Sequence, residues 1–133
     1  MPRSPGRVRR GGVLSSQTPI RNRSVQRGIT VAEVLEITRG CFVCSMSPTP
    51  PREGARSLRL SSREVVTLGD GGSQSVSGFE EAARVVSDEM ARSPGSWSLL
   101  VGYITMSPRR MYFTVEFGVD GRVSSVSDVE WGD

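Results

Sequence analysis

Residues 96–131, SWSLLVGYITMSPRRMYFTVEFGVDGRVSSVSDVEW, decide the fold. In WSLLVGYIT a two-residue repeat is apolar on both sides, with Trp97, Leu99, Val101 and Tyr103 on one and Leu100 and Ile104 on the other. That pattern suits a central strand buried on both faces. MYFTVEFG alternates cleanly, placing Met111, Phe113, Val115 and Phe117 inward and Tyr112, Thr114 and Glu116 outward. Val119, Asp120 and Gly121 then turn the chain into RVSSVSDVEW. A two-residue Asp120-Gly121 loop sets Phe117 opposite Ser124. A three-residue loop, with Gly121 in the left-handed bulge position, sets Phe117 opposite Val123 and Met111 opposite Val129. The second register buries more apolar surface and is the one expected.

Working outward, SGFEEAARVVSDEMARSPG reads as a helix over 78–92 that can cover this meander. Ser77 and Glu80 have the spacing of a capping box, and Phe79, Ala82, Ala83, Val86 and Met90 form one apolar face. Glu80–Arg84 and Asp88–Arg92 are i,i+4 pairs, and Pro94 and Gly95 stop the helix. A second capping box, Thr30 and Glu33, opens GITVAEVLEITRGC. There Ile29 and Val34 hold the staple positions and Gly40 is the left-handed stop, so a helix is expected over Val31 to Arg39. SPTPPREG, with three prolines in eight residues, reads as a loop, and residues 57–76 supply one or two short strands around a Gly-rich turn. The expected fold class is α+β: two helices with a C-terminal three-stranded antiparallel meander, extended by the short strands from 57–76.

Charge divides the 133-residue chain. Residues 1–28 hold seven Arg and no acid, with Pro and Gly scattered among them and no apolar period; the remaining 105 residues hold ten Arg against fourteen acids, net −4. The first segment is expected to be a disordered Arg-rich tail, since it lacks the apolar surface that offsets ordering entropy. Residues 29–133 form the domain, which at this size buries roughly 60–70% of its unfolded surface and needs no metal or disulfide to fold. The opening MPRSPGRVRRGGVLSSQ lacks the apolar stretch of an export signal, and no run reaches the length of a membrane span, so no membrane and a cytoplasmic setting are expected.

All seventeen basic residues are Arg, and the chain has no His. The absence of His excludes a Ser-His or Cys-His catalytic pair and an imidazole metal ligand; the absence of Lys excludes a Schiff base or a phosphate-loop lysine. The chain therefore leans away from an enzyme and carries no recognisable cofactor site. The expectation is a protein-binding module of adaptor, immunity-like or regulatory kind, whose interaction surface is the outer face of the meander with Tyr112, Glu116 and Asp128. The rival is a nucleic-acid-associated protein that contacts phosphate through Arg7, Arg9 and Arg10 of the tail, although no aromatic residue within 1–28 offers a stacking platform.

Cys41 and Cys44 form the one C-x-x-C. As a redox pair they stand on the wrong side of a helix, because thioredoxin-type cysteines open a helix and these follow one. As metal ligands they supply two of the four groups a tetrahedral zinc site requires. Two small apolar residues in the core is the favoured reading, with Cys41 packing back on Leu35 past the Gly40 stop. The turn GDGG (69–72), the acids Asp128, Glu130 and Asp133, and the basic turn SPRR (107–110) are read as a hairpin turn, edge-strand charges and a solvated tip.

GITVAEVLEITRG and FTVEFGVDGRVSSV resemble the G-x-T-x-x-x-V helix start and late F-x-x-D-G-x-V strand of the outer-membrane-assembly lipoproteins and β-lactamase inhibitor proteins. The chain departs from both in its long second helix and in having no lipid-bearing cysteine, and no site residue is carried over.

Overall fold

The computed structural model describes residues 23–69, 71–104 and 109–132. Helix α1 (Val31–Ile37) leads into strand β1 (Val43–Pro48), followed by β2 (Leu58–Leu60), β3 (Glu64–Thr67) and β4 (Ser73–Ser75). Helix α2 (Phe79–Arg92) precedes β5 (Trp97–Ile104), β6 (Arg110–Phe117), β7 (Val123–Val126) and β8 (Glu130–Gly132). The strands form one eight-stranded antiparallel sheet in the order β4-β3-β2-β1-β5-β6-β7, with β8 also on β6.

This overturns the expected fold class. The three-stranded meander is one part of a sheet that reaches four strands further, and the molecule is mostly β with two short helices. The decisive difference lies at Val43–Pro48, expected to be a short apolar segment running into a proline loop. It is instead the strand that joins the two halves, pairing with β5 from Val43↔Gly102 to Pro48↔Trp97 and with β2 through Ser45↔Arg59 and Met46↔Leu58. Pro48 is tolerated for a geometric reason. Thr49 donates its N–H to Ser96 of the β5 side, so the preceding residue points the other way, past the last β2 pair, and no ladder bond is lost. The loop that follows is held by Arg52, whose guanidinium donates to the carbonyls of Ser93 and Ser96 at 3.0 and 3.1 Å and lies over the Trp97 ring.

Both helices lie on one face. Cys44, Met46, Leu58, Leu60 and Val65 continue the inward row of Trp97, Leu99, Val101, Met111, Phe113, Val115 and Phe117, all buried. Val31, Val34 and Leu35 of α1 and Ala82, Ala83, Val86 and Met90 of α2 close that core. The burial of β5 on both faces does not occur: Leu100 and Ile104 are 39% and 60% exposed, because nothing among the described residues covers the other face.

The capping box of α1 forms as spelled, with Glu33 N–H donating to Thr30 Oγ1 and Thr30 N–H donating to Glu33 Oε1. That of α2 is displaced by one residue. Gly78 is the N-cap, and Ser77 gives its N–H and hydroxyl to Glu81, at 2.9 and 2.7 Å, rather than to Glu80. Arg92 pairs with Glu89 instead of Asp88.

At the hairpin, Gly121 has φ +78°, Gly118 N–H bonds to Arg122 O, and Phe117 faces Val123 as the three-residue loop requires. The register then slips twice. Glu116 faces Ser125, and after a break at 127–129 Met111 faces Trp131 rather than Val129. Each slip inserts one extra residue on the outer strand, a β-bulge. The first bulge brings Val126 opposite inward-facing Val115, where strict alternation from Val123 would have turned it outward. The outer edge of β7 is met by the segment before α1: Gly28 and Ile29 exchange backbone hydrogen bonds with Val123, both 2.9 Å.

Candidate functional site

The uncovered face of the sheet is built from the outward residues of β1, β5, β6 and β8. Across its middle run Val43, Gly102, Tyr112 and Glu130, each opposite the next. Tyr112 is flanked by glycine on both neighbouring strands, and its ring lies against them: a Cβ on Gly102 would stand 2.8 Å from Cε1, and one on Gly132 3.2 Å from Cε2. The glycines thus let the ring lie flat across the backbone instead of standing off it. Phe42, 44% exposed, tilts toward Tyr112 with ring centres 6.5 Å apart, and the Arg110 guanidinium lies 5.3 Å from the Phe42 ring centre. With exposed Leu100 and Ile104, these side chains make an apolar and aromatic patch.

One end of the face is polar and fixed. Ser98 donates to Glu116 Oε2 at 2.8 Å, and the Ser98 and Thr49 hydroxyls are 2.6 Å apart, so Thr49 supplies the proton that Ser98 accepts. The Glu116 carboxylate is held in place across β5 and β6 rather than swinging in solvent.

Of the residues singled out in the sequence, Tyr112 and Glu116 share this outer face of β6. Asp128 sits in the break between β7 and β8, where Ser127 bonds the backbone of Thr114. Arg7, Arg9 and Arg10 lie outside the described residues, as do Asp70, Ser107, Pro108 and Asp133. Arg109 of the basic turn lies over the Trp131 ring, 4.9 Å from its centre. Phe42, Leu100 and Ile104 were not expected on an exposed site. Leu100 and Ile104 stand on the second apolar row of β5, for which strand periodicity predicts burial, whereas Phe42 precedes β1 and carries no such signal.

Cys41 and Cys44 are not two separate core residues: they are joined as a disulfide, with Cα atoms 6.3 Å apart. In that state neither sulfur is a thiolate ligand for a metal. Cys44 is buried at 1% exposure, whereas Cys41 lines an open cleft of about 1180 Å³ between α1, the start of α2 and the β2–β3 turn. Ile37 and Phe79 are among its apolar walls, and Glu33, Glu36 and Glu80 stand along it. The Thr30 N–H and hydroxyl hold the Glu33 carboxyl below its ordinary value of 4.5. A third polar cluster surrounds Glu89, 6% exposed on α2, whose Oε1 receives both Arg56 and Arg92.

The chain matches no family model, no curated protein and no solved structure. Among the described residues no helix is long and apolar enough to cross a membrane.

Proposed function

We propose that this protein is a non-enzymatic binding module, of adaptor, immunity-like or regulatory kind, whose partner protein packs on the uncovered face of the sheet. The observation that carries the reading is the grouping of Phe42, Leu100, Ile104 and Tyr112 on that face, exposed or half-buried, beside the fixed Glu116 carboxylate. Clustered apolar and aromatic side chains rimmed by polar ones are the composition of a protein interface core. A cytoplasmic setting belongs to the same proposal, and there the Cys41–Cys44 bond is exposed to thiol reduction.

The test uses the full chain as bait in a lysate of its own host, alongside a Leu100→Ser/Ile104→Ser variant. Both substitutions are on solvent-facing positions, so thermal unfolding should coincide with that of the parent. A partner retained by the parent and lost by the variant is the expected result. Identical retention by the two would discard the sheet face as the interface. Loss of retention only on deleting residues 1–22, in a salt-dependent manner, would favour the tail and an anionic partner instead.

A further inference from the structure

The cleft on the helix side of the sheet differs in chemistry from the uncovered face, with carboxylates standing beside its apolar walls. We infer that it docks a basic peptide segment of a partner, with an apolar side chain seated against Ile37 and Phe79 and arginine or lysine at the carboxylates of Glu33, Glu36 and Glu80. A cleft of about 1180 Å³ is larger than the range of about 300–1,000 Å³ typical of small-molecule pockets, and it opens to solvent, as entry of a peptide requires.

Each wall of the cleft has a local reason to be where it is. Glu33 is held by the Thr30 capping box and, like other exposed carboxylates, is ionised at neutral pH. The α1 side ends at Gly40, φ +91°, and is tied to the central strand through Cys41 and buried Cys44. Phe79 begins α2, packs against the core and remains only partly covered. Among the described lining residues three carboxylates stand against one guanidinium, that of Arg39 on Glu36, and with Arg122 acting on Glu33 from outside the lining this wall is still net negative. Glu80, exposed on the first turn of α2, faces the same space. Such charge steers a cationic segment and sets its register, while the apolar floor supplies affinity. An anionic or uncharged segment gains only the second.

The experiment pans a displayed random dodecapeptide library on the folded full chain. Its outcome is checked by titrating one enriched peptide, labelled with a fluorophore, into the parent and a Glu33→Gln/Glu36→Gln/Glu80→Gln variant. Glutamine keeps an acceptor oxygen for Thr30 at position 33, so the variant should fold as the parent does, with only a small drop in its unfolding temperature at neutral pH. Enriched peptides should pair arginine or lysine with an apolar residue, bind the variant at least tenfold more weakly and lose affinity as salt rises. The sheet-face variant Leu100→Ser/Ile104→Ser should bind them unchanged, which separates this site from the interface proposed above. Peptides without basic residues, equal affinity for the carboxylate variant, or no enrichment at all would each overturn the inference.

Discussion

The two faces of the sheet are made by the same strands and have opposite fates. On β5, Leu99 is fully buried while its neighbour Leu100 is 39% exposed; on β6, Phe113 is buried at 1% while Tyr112 remains half-buried. Side-chain chemistry does not separate Leu99 from Leu100, since leucine follows leucine. What separates them is the packing of α1 and α2 on one side. The inner row is covered because both helices present short apolar stripes to it, and two stripes suffice for one face only. The outer row is left to solvent, or to a partner.

The sharpest way to break this comparison is to truncate one side chain on each face. Trp97, with no exposed surface, should cost about 3–5 kcal/mol as Trp97→Ala. Leu100→Ser should change stability by no more than about 0.5 kcal/mol, as at other solvent-facing positions. Chemical denaturation of both variants decides it, and comparable losses would mean that the outer face is covered in the folded chain.

A smaller effect is expected at Gly102, where the outer face is shaped rather than filled. Gly102→Ala places a Cβ 2.8 Å from the Tyr112 ring and should cost about 1–3 kcal/mol as overpacking does. In a Tyr112→Ala background the same substitution should cost clearly less, because the ring it displaces is gone. An unchanged cost would mean that backbone, not the ring, sets the need for glycine.

The smallest effect concerns what holds the covering helices. Glu33 and Glu81 both have carboxyls lowered below 4.5 by Thr30 and Ser77 donors respectively. A folded value below the unfolded one stabilises the fold above about pH 4.5. That contribution fades as pH falls through the lowered folded value. Glu33→Gln/Glu81→Gln should therefore lower stability modestly at neutral pH and flatten the acid limb, the variant and parent profiles converging as pH falls through the lowered folded values. An acid limb as steep as the parent's would assign it to other carboxylates.

Some of this was legible because it is local. The Thr30–Glu33 box is a four-residue signal and forms as spelled. Gly121 and the Phe117–Val123 pairing follow from loop length and buried area over a few residues. The α2 box was displaced because Gly78 can serve as the N-cap without a side chain, so Ser77 reached Glu81 instead. Strand β1 was hidden because Pro48, Pro50 and Pro51 follow one another so closely. Only the offset between β2 and β5 shows that Pro48 lacks a partner to lose. The bulges on β7 and β8 were hidden too, since VSSVSDVEW shows no glycine or proline at the slips.

The sequence by itself determined where α1 begins, which residues of β6 face inward and the hairpin at Gly121, because each depends on contacts within a few residues. It also set the chemical limits, with no imidazole and no primary amine side chain to act. Only the tertiary structure decided that eight strands form one sheet, that Leu100 and Ile104 face solvent and that Cys41 reaches Cys44 beside an acid-lined cleft. Those outcomes depend on which long-range pairings bury the most surface at once. A single strand's pattern is the same whether its second face is covered or bare.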